Sequence, residues 1–184
     1  MNVTLQLATE AERQLLEGYV HSYHEFEGVS HPGQNAVAAI LPLLGQSPRG
    51  RIWLICLGAE PIGYVAICFG YTIEFSGRDA FVDEMFITEA HRGKGYGKEV
   101  FCLVKAEAAS LGVKVLHLEV ARSNERAQRL YRSVGFVARE RFFLMSAPID
   151  AQSGTPANGL AAAEPSVRRR RFRQHMEDEL ADMK

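Results

Sequence analysis

The segment Phe81-Val82-Asp83-Glu84-Met85-Phe86-Ile87 and, four residues further on, the hexapeptide Arg92-Gly93-Lys94-Gly95-Tyr96-Gly97 decide how the rest of the chain is read. The first piece is rich in β-branched and aromatic residues and predicts a strand. The second alternates glycine with other residues directly before an amphipathic helix. In that helix Val100, Phe101, Leu103, Val104, Ala108 and Leu111 form one apolar face, and Gly112 supplies the stop. Glycines let backbone N–H groups approach an anion closely, and the first helical turn adds unpaired donors and the positive end of the dipole. Lys94 and Lys98 add charge nearby, so the loop suits a diphosphate. A P-loop would end in Gly-Lys-Ser/Thr, and a dinucleotide fingerprint would space its glycines G-x-G-x-x-G; this loop fits neither. Taken alone, it is also compatible with a turn that holds no ligand.

Outward from this centre the pattern is strand and helix in short succession. Downstream, residues 113–120 predict a strand, 124–134 a helix stopped by Gly135, and 142–145 a closing strand. Such alternation implies crossover connections and some parallel pairing. Upstream, 3–7 predicts a short first strand, and Thr9 with Glu12 has the form of a capping box ahead of a helix carrying Leu15, Leu16, Tyr19 and Val20. A second helix is expected over 35–44, with Pro42 ending or kinking it. Residues 51–57 and 62–71 flank Gly58-Ala59-Glu60-Pro61 as a hairpin, and Ser76-Gly77-Arg78-Asp79 reads as the turn into the strand 81–87. The fold class is therefore α/β, with a mixed, partly parallel sheet flanked by helices.

Composition narrows the function. The 184 residues suffice for one ordinary domain with one continuous core, and the net charge of -1 marks no general nucleic-acid or membrane binder. Cys56, Cys68 and Cys102 lie far apart in apolar stretches without metal-ligand spacing, which fits reduced thiols. The first residues lack a signal-peptide pattern, so a soluble cytoplasmic protein is expected. Residues 147–184 read differently: a stretch rich in Ala, Gly, Ser and Pro, then Arg168-Arg169-Arg170-Arg171-Phe172-Arg173, then Glu177-Asp178-Glu179. Six basic residues there balance six acidic ones from Asp150 onward, so a linker and a solvated, poorly ordered tail are expected rather than a nucleic-acid arm.

Arg92-x-x-Gly95-x-Gly97 after a strand, followed downstream by Asn124, Ala127, Tyr131 and Gly135-Phe136, resembles the acyl-CoA-binding signature of the GNAT superfamily of N-acetyltransferases. The resemblance covers about residues 1–146 and is most specific over 81–136. It implies a GNAT-like sheet whose fourth and fifth strands splay apart to admit the pantetheine arm of acetyl-CoA, the co-substrate; no metal is expected, since no ligand spacing is apparent. By the same resemblance Met85, Phe86 and Ile87 lie along that arm. Arg92, Gly93, Lys94, Gly95, Tyr96, Gly97 and Lys98 hold the pyrophosphate, and Asn124 and Ala127 belong to the cofactor site. For Asn124 an ordinary helix N-cap is an equally good reading, and the two are compatible.

Acetyl transfer to an amine requires a neutral nucleophile, and a free primary amine has a pKa of about 10.4, so a proton acceptor or a water relay is useful. Asp83 and Glu84 are the acids on the strand, and strict alternation would put them on opposite faces. The Val82-Asp83-Glu84-Met85 pattern resembles the polyamine-acetylating branch, which points to Asp83 as the acid handling the amine. Tyr131 is the candidate general acid, since a phenol of pKa about 10 can protonate a departing thiolate. His24, Glu25 and Glu27, near the end of the first long helix, are looser candidates for acceptor contact, while His21 and His24 at i, i+3 lack the further ligand spacing of a metal site. The expected activity is acetyl transfer from acetyl-CoA to a primary amine, chiefly a small cationic one. A protein lysine, an N-terminal amine and a non-catalytic CoA-binding module are the alternatives. Homodimerisation is left open.

Overall fold

The computed structural model describes residues 2–28 and 36–145, in two compact units, Met1–Phe136 and Val137–Lys184. The first unit is built on a five-stranded sheet of order β1 (Val3–Leu7), β2 (Gly50–Leu57), β3 (Glu60–Thr72), β4 (Gly77–Ile87) and β5 (Val115–His117). The first four strands run antiparallel in turn, and β5 lies parallel to β4. Among the described residues four α-helices accompany them: α1 (Arg13–Phe26), α2 (Ala36–Ile40), α3 (Tyr96–Ser110) and α4 (Glu125–Ser133).

Local chemistry explains most boundaries. The capping box forms as expected: the Thr9 amide donates to Glu12 Oε2 at 2.8 Å and the Ala11 amide to Thr9 Oγ1 at 3.3 Å, opening a 3-10 turn that leads into α1. Pro42 ends α-helical geometry, and α2 gives way at Ile40 to a 3-10 turn over Leu41–Leu43. The turn before β4 falls earlier than the sequence suggested. The Ser76 amide donates to the Ile73 carbonyl at 3.1 Å, Ser76 takes φ 55°, and Gly77 already belongs to the strand.

Two expectations are corrected. The strand expected over 113–120 is limited to Val115–His117, because only Asp79, Ala80 and Phe81 of β4 pair with it. The strand expected over 142–145 does not form among the described residues of the second unit. There the Phe142 amide donates to the Arg139 carbonyl at 3.0 Å in a turn, and the guanidinium of Arg139 stands 4.7 Å from the Phe142 ring. The arginine-rich segment and the linker before it lie outside the described residues.

The sheet carries a core on each face. On one, Ile55, Val65, Ile67, Ala80 and Val82 pack against Val100, Phe101 and Val104 of α3. On the other, Ile52, Leu54, Tyr64, Ala66 and Phe86 pack against Leu16 and Val20 of α1 and Ile40 of α2. Burying each such large side chain contributes about 1.5–3 kcal/mol. These opposed faces make β4 the strand on which chemistry from both sides can meet.

Candidate functional site

The site begins where β4 and β5 part. Their pairing ends at Phe81 and His117, while β4 continues to Ile87. On its other edge β4 stays paired with β3, and the ladder from Tyr64 opposite Phe86 to the Thr88 amide on the Ile62 carbonyl (2.9 Å) turns the Phe86 main chain toward β3. By alternation, the main-chain groups of Met85 and Ile87 face the gap left by β5. The Ile87 carbonyl already accepts a bond from Arg92 Nε at 2.7 Å.

The glycine loop closes one end of this gap. Gly93 and Gly95 take φ of 79° and 88°, in the left-handed region that side chains disfavour, and Gly95 is the N-cap of α3. Gly97 serves close packing: a Cβ there would stand 3.0 Å from Leu130 Cδ2 of α4 and 3.7 Å from Met85 Cε of β4. The N-terminal turn of α3, with its unpaired amides, is thereby seated beside the open stretch of β4. Lys94 and Lys98 are exposed at the loop, and Tyr96 packs partly against the core. Arg126, in the first turn of α4, brings Nη2 to within 3.5 Å of where a Gly93 Cβ would lie. The sequence reading passed over this cation; its signal was a basic residue in the first turn after the Asn124 cap. These features fit a pyrophosphate: open backbone, a helix N-terminus and three cations.

Asn124 is the N-cap of α4, its Oδ1 accepting from the Ala127 amide at 3.1 Å. Two turns on, the Tyr131 ring packs edge-on against Phe101 (centroids 5.2 Å apart) and Phe136 (5.9 Å). Its hydroxyl makes no hydrogen bond among the described residues. Burial first, and then the carboxylate of Glu27 at the end of α1, push its pKa above the usual tyrosine value. The ring belongs to the core and the hydroxyl is uncommitted.

The acids are arranged differently from the sequence expectation. Ala66 of β3 faces Glu84, but the next residue, Ile67, faces Val82, so Asp83 is an extra residue in a β-bulge. The bulge breaks the alternation: Glu84 lies on the α1 face with Tyr64, and both acids push up the pKa of Tyr64 and of Cys68, behind burial as the main cause. Glu84 is tightly held: Tyr64 donates its hydroxyl to Oε2 at 2.5 Å, and His24 Nε2 lies 2.8 Å from Oε1. Around this carboxylate Tyr19, Tyr23, Tyr64 and Phe86 form an aromatic group, with Tyr19 and Tyr64 stacked at 6.4 Å. The guanidinium of Arg92 lies 4.1 Å from the Phe26 ring and 5.2 Å from that of Phe86, so its side chain joins this wall while its main chain stays in the loop. Of the looser candidates, Glu25 is exposed, whereas His24 and Glu27 are partly buried. The tyrosines of the wall were missed, since in sequence they were indistinguishable from core residues of a helix and a strand.

Among the described residues no group of three or more His, Cys, Asp or Glu is placed to hold a metal ion, and no helix is long and apolar enough to cross a membrane. A strand pair that opens beside a glycine-capped helix N-terminus, with Glu84 on the opposite face, fits an acyl-CoA-dependent transferase. The profile of the Acetyltransferase (GNAT) family matches residues 14–136. The chain belongs to that family of acyltransferase enzymes, whose co-substrate is acetyl-CoA. Over 98 residues it is 31% identical to an uncharacterized N-acetyltransferase, YycN, of Bacillus subtilis (strain 168), covering 53% of this chain and 62% of that protein. It is 30% identical over 74 residues to a thialysine N-epsilon-acetyltransferase of Bos taurus, covering 40% and 43%. The matches thus span only 62% and 43% of the lengths of these curated relatives. In structure it is similar to an integron cassette protein from the mobile metagenome of Cole Harbour Salt Marsh, with TM-score 0.69, 30% identity, and 79% and 91% of the two chains covered.

Proposed function

We propose that this protein transfers acetyl from acetyl-CoA to the primary amine of a small cationic acceptor by direct attack. The observation that carries this reading is the bulge at Asp83, which sets two acids side by side, Glu84 among the α1-face aromatics, next to the stretch of β4 that β5 leaves open. Bound acetyl-CoA supplies the acetyl group as a thioester and a thiolate as leaving group. The loop 92–98, the first turn of α3 and Arg126 hold its diphosphate, the open main chain of Met85 and Ile87 orients its arm, and Asn124 and Ala127 flank it at the start of α4. Phe86 contributes its ring to the acceptor wall.

The acids draw the ammonium form of the acceptor in. Asp83 then takes the proton that the amine must lose, directly or through water, before nitrogen can attack. As the new C–N bond forms, the nitrogen releases its second proton to water, and as the C–S bond breaks Tyr131 delivers its own proton to the sulfur and is reprotonated from solvent. Its raised pKa keeps it protonated at neutral pH, the state an acid requires. The similarity to thialysine N-epsilon-acetyltransferases supports an amine acceptor.

An acetyl-CoA turnover assay with a panel of small mono- and diamines, ω-amino acids, lysine-containing peptides and free N-terminal peptides tests the reading. Turnover of small amines well above that of peptides is expected. Turnover of peptides alone would move the acceptor to protein. CoA binding without any turnover would make the chain a binding module.

A further inference from the structure

Three elements converge on one carboxylate: α1 through His24, β3 through Tyr64 and β4 through Glu84. Tyr64 is fully buried, and burial together with the adjacent carboxylates drives its pKa far up, so it keeps its proton and donates it to Glu84 in a hydrogen bond. Glu84 therefore accepts at Oε2. At Oε1 the geometry is satisfied when His24 carries its proton on Nε2. The other ring nitrogen of His24, Nδ1, is buried without a hydrogen-bond partner among the described residues. The bond to Glu84 is thus the single polar tether of the imidazole among the described residues.

The tether is also strategically placed. His24 lies in the last turn of α1, two residues before the Phe26 that carries Arg92 and three before the Glu27 that acts on Tyr131. Glu84 lies immediately after the bulge, at the edge of the gap. Both side chains are mostly buried, 16% and 18% exposed, so solvent does little to compensate a lost partner. A carboxylate has about four lone-pair sites, and one donor on each oxygen leaves each able to accept another from a ligand.

We propose that His24 is a positioning residue for the acceptor amine: by donating from Nε2 it holds Glu84, jointly with Tyr64, in the orientation that faces the acceptor, and it fixes the end of α1 against β4. The inference rests on the reading of the α1 face as the acceptor side. It acts through Glu84 and leaves the diphosphate site alone, so its loss separates the two substrates.

The test uses the full chain, acetyl-CoA and the amine turned over fastest in the panel above. His24→Ala should lower kcat/KM for the amine by about 10- to 100-fold, the range for a lost hydrogen bond to a charged group. The KM for acetyl-CoA should stay within about twofold. His24→Gln, whose amide can donate from nearly the position of Nε2, should recover most of the loss. In a double-mutant cycle, Glu84→Gln should make the His24 substitution nearly silent. Equal losses in His24→Ala and His24→Gln, an additive cycle, or a fall in melting temperature with unchanged kinetics per folded molecule would overturn the proposal. Imidazole ¹⁵N NMR of the ligand-free protein separates it from the acceptor reading: an Nε2-protonated tautomer that shifts in Glu84→Gln is expected. A His24 signal indifferent to that substitution would sink the tether whatever the enzyme acetylates.

Discussion

Replacing Tyr131 by phenylalanine removes one oxygen and leaves the edge-on packing against Phe101 and Phe136 in place. The hydroxyl has no hydrogen bond among the described residues, so its removal leaves no buried partner unsatisfied and should change stability by at most about 1 kcal/mol. For a chain of 184 residues that moves the melting temperature by roughly 2–4 °C. The catalytic cost is of another size. Loss of a positioned general acid lowers the rate about 10²–10⁴-fold, or about 2.7–5.4 kcal/mol in the barrier. Acetyl-CoA affinity should be unchanged, because the proposed diphosphate contacts lie at the N-termini of α3 and α4. The assay is a single-turnover measurement at saturating amine, which avoids product release, read beside melting temperature and calorimetric CoA affinity for the same variant. The parent adds a check through pH. An acid works while protonated, and the Tyr131 pKa is raised, so the loss of activity that belongs to it should appear only as pH rises beyond about 10. A single-turnover rate in Tyr131→Phe within about threefold of the parent would refute the assignment and leave the residue a packing tyrosine.

Gly95→Val should weaken CoA binding, because the left-handed φ of 88° is costly for a β-branched residue and the loop must deform; Gly95→Asn should lose less. Calorimetric titration of the folded variants decides it, and unchanged affinity in the valine variant would remove the loop from the site. Tyr64→Phe leaves Glu84 with one donor instead of two and should cost about 1.5–3 kcal/mol in urea unfolding; a neutral result would mean that the bond at Oε2 contributes nothing. Removing residues 152–184 should leave a folded, CoA-binding protein, and a large drop in melting temperature would show that the arginine-rich segment docks.

The parts of the site legible in the sequence are those written in local chemistry. Glycines alternating ahead of an apolar-faced helix gave the loop and α3; Thr9 and Glu12 gave the entry to α1; Asn124 gave the cap of α4, because each depends on residues within one turn. Asp83 and Glu84 show where that legibility ends. Counting along β4 puts them on opposite faces, and only the pairing with Ala66 and Ile67 of β3 reveals the extra residue between. The same holds for β5, whose apolar residues run past His117 while its hydrogen-bonded length is set by where β4 turns away. The Glu84–His24–Tyr64 assembly joins positions 20 and 60 residues apart, and nothing near any of them announces the others.

Asp83 can also be regarded as an insertion. With that one residue deleted, Val82 would still face Ile67, Glu84 would still face Ala66, and Met85, Phe86 and Ile87 would keep both their partners and their sides of the sheet. The shortened strand would be a regular one, freed of the irregularity that interrupts its ladder. The pairing of β4 with β3 therefore does not require a residue at this position. An acid at this point is a matter of chain length as much as of side chain, and a lineage could gain or lose it by a single codon without disturbing either core.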